Sequence, residues 1–209
     1  EEGRRRFLLW TEGRTGYPMV DACIRSCLAT GWLNFRMRAM VASFAAYHLW
    51  LDWRQSAVFL ARHFLDFEAG IHFPQFQMQS GTTGINTLRI YSPAKQVRDQ
   101  DPEGVFIRRW VPELAGVPQE YLAEPHLMSE GMQAKSGCKI GDDYPFPVVE
   151  HKRAYREARE RFAILRRSES VREEARAVYR RHGSRKQPLR AEFGARRGSS
   201  VQMDLNLEI

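Results

Sequence analysis

The stretch GWLNFRMRAMVASFAAYHLWLDW, Gly31 to Trp53, reads as one helix with apolar side chains over most of its surface. It nevertheless carries two arginines, Arg36 and Arg38, near its beginning. A guanidinium placed in a core requires a carboxylate partner, because an unpaired buried charge is heavily penalised. The following segment carries Val58, Leu60, Ala61, Phe64 and Leu65 on one broad face and ends in Asp66 and Glu68. A buried Arg–Asp pair beside a glycine-containing loop is a natural place for a polar, planar ligand.

The flanking segments extend the helical pattern. In TGYPMVDACIRSCLATG, Pro18 suits a first helical turn, Val20, Ile24, Cys27 and Leu28 recur at spacings of three and four, and Gly31 stops the helix. From Gly70 to Ser92 the period is lost: GIHFPQFQMQSGTTGINTLRIYS contains glycines, Pro74 and small polar residues. This predicts a long irregular loop, and long loops in compact domains are usually functional or disordered. Its aromatics and amides argue against disorder. GVFIRRWVPEL predicts a short helix stopped by Pro112, and the segment after YPFPVVEH predicts one or two charged helices. With no internal repeat and no alternating strand pattern, the fold class is all-α.

Composition narrows the function classes. The chain has 209 residues, 43% hydrophobic and 27% charged, enough for one substantial core. No apolar run reaches the roughly 18 residues of a membrane span, so no membrane partner is expected, and EEGRRRFLLW lacks the apolar region of a signal peptide. Cys23, Cys27 and Cys138 form no metal-ligand set, so no metal is expected. Plain reduced thiols suit an intracellular chain, cytoplasmic in a bacterium. Between Arg166 and Arg197 eleven Lys/Arg stand against four Asp/Glu, so the formal +7 of the chain is concentrated there. Such a strip is a solvated helix or an aid to phosphate-backbone binding.

The ordered set WTEGRTGYPMVDACIRSCLATGWLNFRMRAM, FLDFEAG, LRIYSPAKQ, DPEGVFIRRWVPEL, EPH and DYPFPVVEHKRA resembles the photolyase/cryptochrome flavoprotein family from about residue 10 to 155. The resemblance implies the C-terminal part of an all-helical FAD-binding domain over 1–155, with a long irregular loop beside the flavin pocket, and a basic helical extension and tail over 156–209. It also implies that the antenna domain and the remaining part of the FAD site belong to an N-terminal part of the same protein or to a split partner chain.

Carried over by matched position, Arg38 and Asp66 should form the ion pair packed against the isoalloxazine ring. Asp66, Phe67, Glu68, Gly70 and Ile71 should border the flavin, and Phe35 the cavity. Phe35, Arg36 and Gln96 match DNA-facing positions, and Trp53 matches a member of the tryptophan chain that feeds electrons to the flavin. His72 falls where the family places a residue facing flavin N5, and a histidine exchanges a proton near neutrality. One departure is Phe76, where the resemblance expects the flavin-proximal tryptophan; phenylalanine is far harder to oxidise. Phe35 also makes the pocket more apolar than the usual asparagine would. The implied activity is light-driven repair of pyrimidine dimers in DNA by electron transfer, the alternative a blue-light photoreceptor without repair.

Overall fold

The computed structural model describes residues 1–83 and 88–182. Residues 84–87 of the expected loop and the expected tail beyond 182 lie outside the described residues. Ten α-helices make up the described part: α1 (Glu2–Thr11), α2 (Pro18–Thr30), α3 (Phe35–Ser43), α4 (Trp53–Ala61), α5 (Ala69–Gln79), α6 (Pro93–Gln100), α7 (Val105–Trp110), α8 (Glu130–Ser136), α9 (His151–Arg167) and α10 (Glu169–His182). The π-helical turn Phe44–His48 follows α3, and three short 3-10 turns lie between α7 and α8.

The centre is α2, which begins at Pro18 and ends at Gly31 in the left-handed conformation, φ 70°, that glycine adopts without strain. Its Asp21 is fully buried and accepts hydrogen bonds from the Thr15 amide (2.8 Å), the Thr15 hydroxyl (2.6 Å), the Gly16 amide (3.1 Å) and the Tyr144 hydroxyl (2.5 Å). Gly16 has φ 77°, and a Cβ there would strike the Phe146 carbonyl. Tyr17 donates to the Val149 carbonyl at 2.6 Å. The TGYP and DYPFPVV segments are thus the two halves of one buried clasp. Similar polar work explains two other segments. Asp101 caps α7 by accepting from the amides of Phe106 (3.1 Å) and Ile107 (2.9 Å), and Glu113 pairs with Arg25 at 2.8 Å.

Two expectations about helices are corrected. Gly31–Trp53 is not one helix. Asn34 caps the Met37 amide at 2.9 Å, so α3 starts at Phe35. The chain then widens into the π turn, reverses at Trp50 with φ 54°, and restarts where Asp52 caps the Arg54 amide at 2.9 Å. The irregular loop expected from Gly70 is instead helical as far as Gln79. Glu68 caps α5 through the Gly70 amide at 3.1 Å, and Pro74 is held inside the helix. A proline there removes one amide–carbonyl bond without stopping a helix whose other face is packed against α3 and α4. Only the part after Gln79 is irregular among the described residues.

Helix α9 runs without a break across the expected boundary at 155/156. Its Ala154 and Ala158 are buried against the π turn, and Phe162 meets the Tyr47 ring edge-on at 5.5 Å. No helix among the described residues is long and apolar enough to cross a membrane.

Candidate functional site

A cavity of about 160 Å³ opens between α3, the connection after α4, and α5. Phe35, Arg38, Ala39 and Ala42 line it from α3, and Phe64, Asp66, Phe67 and Glu68 from the connection. One face of α5 closes it with Ile71, His72, Gln75, Phe76 and Gln79.

The opening arginines separate by helix face. Arg36 is exposed, whereas Arg38 turns inward: its Nε donates to the Leu33 carbonyl at 2.7 Å and its Nη2 to both oxygens of Asp66, at 2.9 and 2.8 Å. Its guanidinium carbon lies 4.1 Å from the centre of the Phe64 ring, within cation–π range. The pair is not buried as the sequence implied. Its side chains are 26% and 54% exposed, which places it at the mouth of the cavity. The hydrogen bond from Arg38 keeps the Asp66 carboxyl below the usual carboxylate range.

His72 is 8% exposed and sits among the rings of Phe64, Phe67, Phe73 and Phe76. Its Nε2 lies 2.8 Å from the Ala57 carbonyl. A carbonyl only accepts, so Nε2 carries the proton. Burial pushes the imidazole pKa below its ordinary value, partly offset by that carbonyl and reinforced by Arg38. The neutral ring is therefore fixed in one tautomer, with Nδ1 left as an acceptor.

The remaining expected residues lie around this centre. Gly70 does not line the cavity; its amide is held by Glu68. Trp53, at the start of α4, is half-buried against the main core, with the Arg54 guanidinium 5.0 Å from its ring centre. It does not reach the cavity wall. Gln96, expected on a DNA-facing surface, is buried at 6% exposure on α6, with its Oε1 unpartnered. Two polar lining residues escaped the sequence reading, Gln75 and Gln79. Their Oε1 atoms are buried without a hydrogen-bond partner, a state that costs about 1–3 kcal/mol per group. The spacing 72, 75, 76, 79 was the available signal, hidden because the stripe is half polar and interrupted by Pro74.

Aromatic walls and a guanidinium–carboxylate pair at the mouth suit a planar heteroaromatic group with a polar edge. At about 160 Å³ the cavity is too small for a whole dinucleotide.

Comparison with known proteins identifies the class. The profile of the FAD binding domain of DNA photolyase matches residues 1–164. A deoxyribodipyrimidine photo-lyase of Alkalihalophilus pseudofirmus is 36% identical over 151 residues, 71% of this chain and 32% of that protein. A cryptochrome DASH of Gloeobacter violaceus is 35% identical over 151 residues, 72% of this chain and 30% of that protein. Among solved structures, a bacterial class III photolyase from Agrobacterium tumefaciens superposes with a TM-score of 0.75 at 30% identity, over 80% of this chain and 35% of that one. The chain belongs to the photolyase/cryptochrome FAD-binding family. It spans about a third of the length of the relatives it matches. FAD is the cofactor of this domain, and the cavity suits its ring in aromatic lining and in the polar pair at its mouth.

Proposed function

We propose that this chain supplies one wall of the FAD pocket in a light-driven enzyme that repairs pyrimidine dimers in DNA. The observation that carries the reading is the Arg38–Asp66 pair set against Phe64 at the mouth of the α3–α5 cavity. FAD, when bound, supplies light absorption and the single electron of the repair reaction.

The chain's own residues bind, orient and exclude water. Arg38 offers a fixed positive charge whose excess is neutralised by Asp66, so a ring is held at the mouth without a large net field. Phe67 and Ile71 line that mouth, with Glu68 at the start of α5, and Phe64 and Phe76 dry the interior. His72 keeps its proton on Nε2 and offers Nδ1 as an acceptor. Phe35, 65% exposed at the rim, suits stacking with a base swung out of the duplex, and the exposed Arg36 beside it suits a phosphate. Gln96 would have to leave its buried position to join them. The opposite wall of the pocket comes from an N-terminal part of the protein or from a partner chain.

A second reading, a cryptochrome-like photoreceptor without repair, is favoured by one observation: no tryptophan or tyrosine lines the cavity among the described residues, and Phe76 stands in the wall. Ultraviolet-damaged single- and double-stranded DNA, incubated with the full-length protein under blue light, separates the two. Loss of dimers supports repair. A reversible flavin absorption change without loss of dimers supports the photoreceptor. A folded protein that takes up no flavin overturns both.

A further inference from the structure

We propose that the outward face of α9 binds the phosphate backbone of double-stranded DNA without reading its sequence, at a surface separate from the cavity. The inference goes beyond the flavin reading and does not depend on it.

Helix α9 carries seven Lys/Arg against two Glu in its 17 residues. Its inner face is apolar: Ala154 and Ala158 are buried against the π turn, and Phe162 meets Tyr47. Lys152, Arg156 and Arg159 recur at spacings of four and three, and Arg167 returns to the same line eleven residues after Arg156. These spacings set the four cations in a stripe on the side turned away from the π turn, and all four are exposed. At 1.5 Å of rise per residue the stripe is about 22 Å long.

Its charge is not interleaved as on a plain solvated helix. One strip over, Arg153 is paired with Glu157 at 2.7 Å. None of the four stripe cations forms an ion pair among the described residues, and Glu160 is the carboxylate of α9 that borders them. Arg159 is steadied instead by Tyr155, its guanidinium 5.7 Å from the ring centre. Like charges three and four apart on a helix repel. The packing of α9 does not call for them, because its inner face alone holds it to the π turn.

A polyanion supplies the missing counter-charge. Each strand of a duplex places a phosphate every 3.4 Å along the axis, so the stripe runs beside about six of them. A lipid surface fits less well. Ile164 and Leu165, the exposed large apolar residues of α9, lie off the stripe, which therefore lacks the apolar ridge that enters a membrane. No stripe residue lines the cavity, so this contact is distinct from the one proposed for Phe35 and Arg36 at its rim.

The test uses the full-length protein and undamaged duplex DNA in the dark, so that lesion binding and photochemistry play no part. Fluorescence anisotropy of a labelled duplex gives the affinity at salt concentrations from about 50 to about 200 mM. The variant Lys152→Gln, Arg156→Gln, Arg167→Gln should bind about a hundred-fold more weakly at about 0.15 M salt, with the slope of log K against log salt shallower by about 2.7. Its melting temperature and flavin content should match the wild type, since the three side chains are exposed. A control variant, Arg4→Gln, Arg62→Gln, Lys135→Gln, removes the same charge from exposed positions elsewhere and should bind nearly as the wild type does. Equal losses in the two variants would show attraction by net charge alone and overturn the proposal. An unchanged slope in the stripe variant overturns it, as does a wild type that binds no undamaged duplex. If the stripe variant keeps DNA binding and loses binding to phosphatidylserine vesicles, the surface belongs to a membrane and the proposal falls. FAD uptake tests the flavin reading separately, so the two can fail independently.

Discussion

The Nε2 of His48 lies 2.8 Å from the Nδ1 of His151, and the two rings stack with centroids 5.1 Å apart. This contact fastens the first turn of α9 to the π-helical turn. His48 is 1% exposed and stacks on Phe44 at 4.6 Å, and its Nδ1 has no partner. Glu124 and Glu150 approach the pair from the His151 side.

That contact makes the fold acid-sensitive. Burial first, and then the charge of His151, lowers the His48 pKa from 6.5 to about 3. Between those values the unfolded chain binds a proton that the native chain refuses, so stability is lost as pH falls from 6.5 toward 3. For this group the loss between pH 7 and pH 5 is about 2 kcal/mol. Unfolding free energies from urea titrations of His48→Phe at the two pH values should differ by about that much less than those of the wild type. An equal acid slope in both would assign it elsewhere.

Asp21 and Tyr144 predict a different kind of failure. Asp21→Ala removes the acceptor of four hydrogen bonds at a fully buried site and should cost at least about 3 kcal/mol. Tyr144→Phe breaks only one of these bonds and should cost about 1–2 kcal/mol. Thermal denaturation of both variants checks the order; equal costs would mean that Asp21 acts only through Tyr144.

Arg38→Ala should separate binding from folding. The pair with Asp66 is open to solvent, so its loss should change stability by no more than about 1 kcal/mol. Flavin retention by the full-length protein should nevertheless drop sharply, because the guanidinium is gone and the Asp66 carboxylate is left unpaired at the mouth. Gel filtration followed by the flavin absorption of the protein peak reads this directly. Unchanged retention would remove the ion pair from the flavin site.

Phe76→Trp places an oxidisable ring in the cavity wall. With an external reductant present, blue light should bleach the flavin absorption of the variant several-fold faster than that of the wild type. If both bleach alike, electrons reach the flavin by a path that does not cross this position.

Much of the architecture is legible locally. Pro18 and Gly31 bound α2 as their backbone preferences demand, and Pro112 stops α7 within two residues of its observed end. Charge alone leaves Arg36 and Arg38 with Asp66 and Glu68 as candidate partners; the family resemblance selects Arg38 and Asp66, and the structure joins them. The helix α5 was not legible, because glycine and proline are local signals of irregular chain, whereas the packing that holds Pro74 inside a helix comes from α3 and α4. Trp50 shows the same limit: nothing in its neighbours announces a φ of 54°, which the reversal between the π turn and α4 imposes.

The sequence by itself determined that the chain is helical, where α2 begins and ends, and that an arginine of the opening stretch needs a carboxylate, since periodicity, capping and charge pairing act over short stretches or through obligatory chemistry. Only the tertiary structure decided that the Arg38–Asp66 pair stands at a mouth rather than in a core, that Gln96 is buried, and that His72, Gln75, Phe76 and Gln79 share one wall. Burial and cavity shape depend on which distant helices pack against a segment, and His48 meeting His151 across 103 residues is a contact that no local pattern encodes.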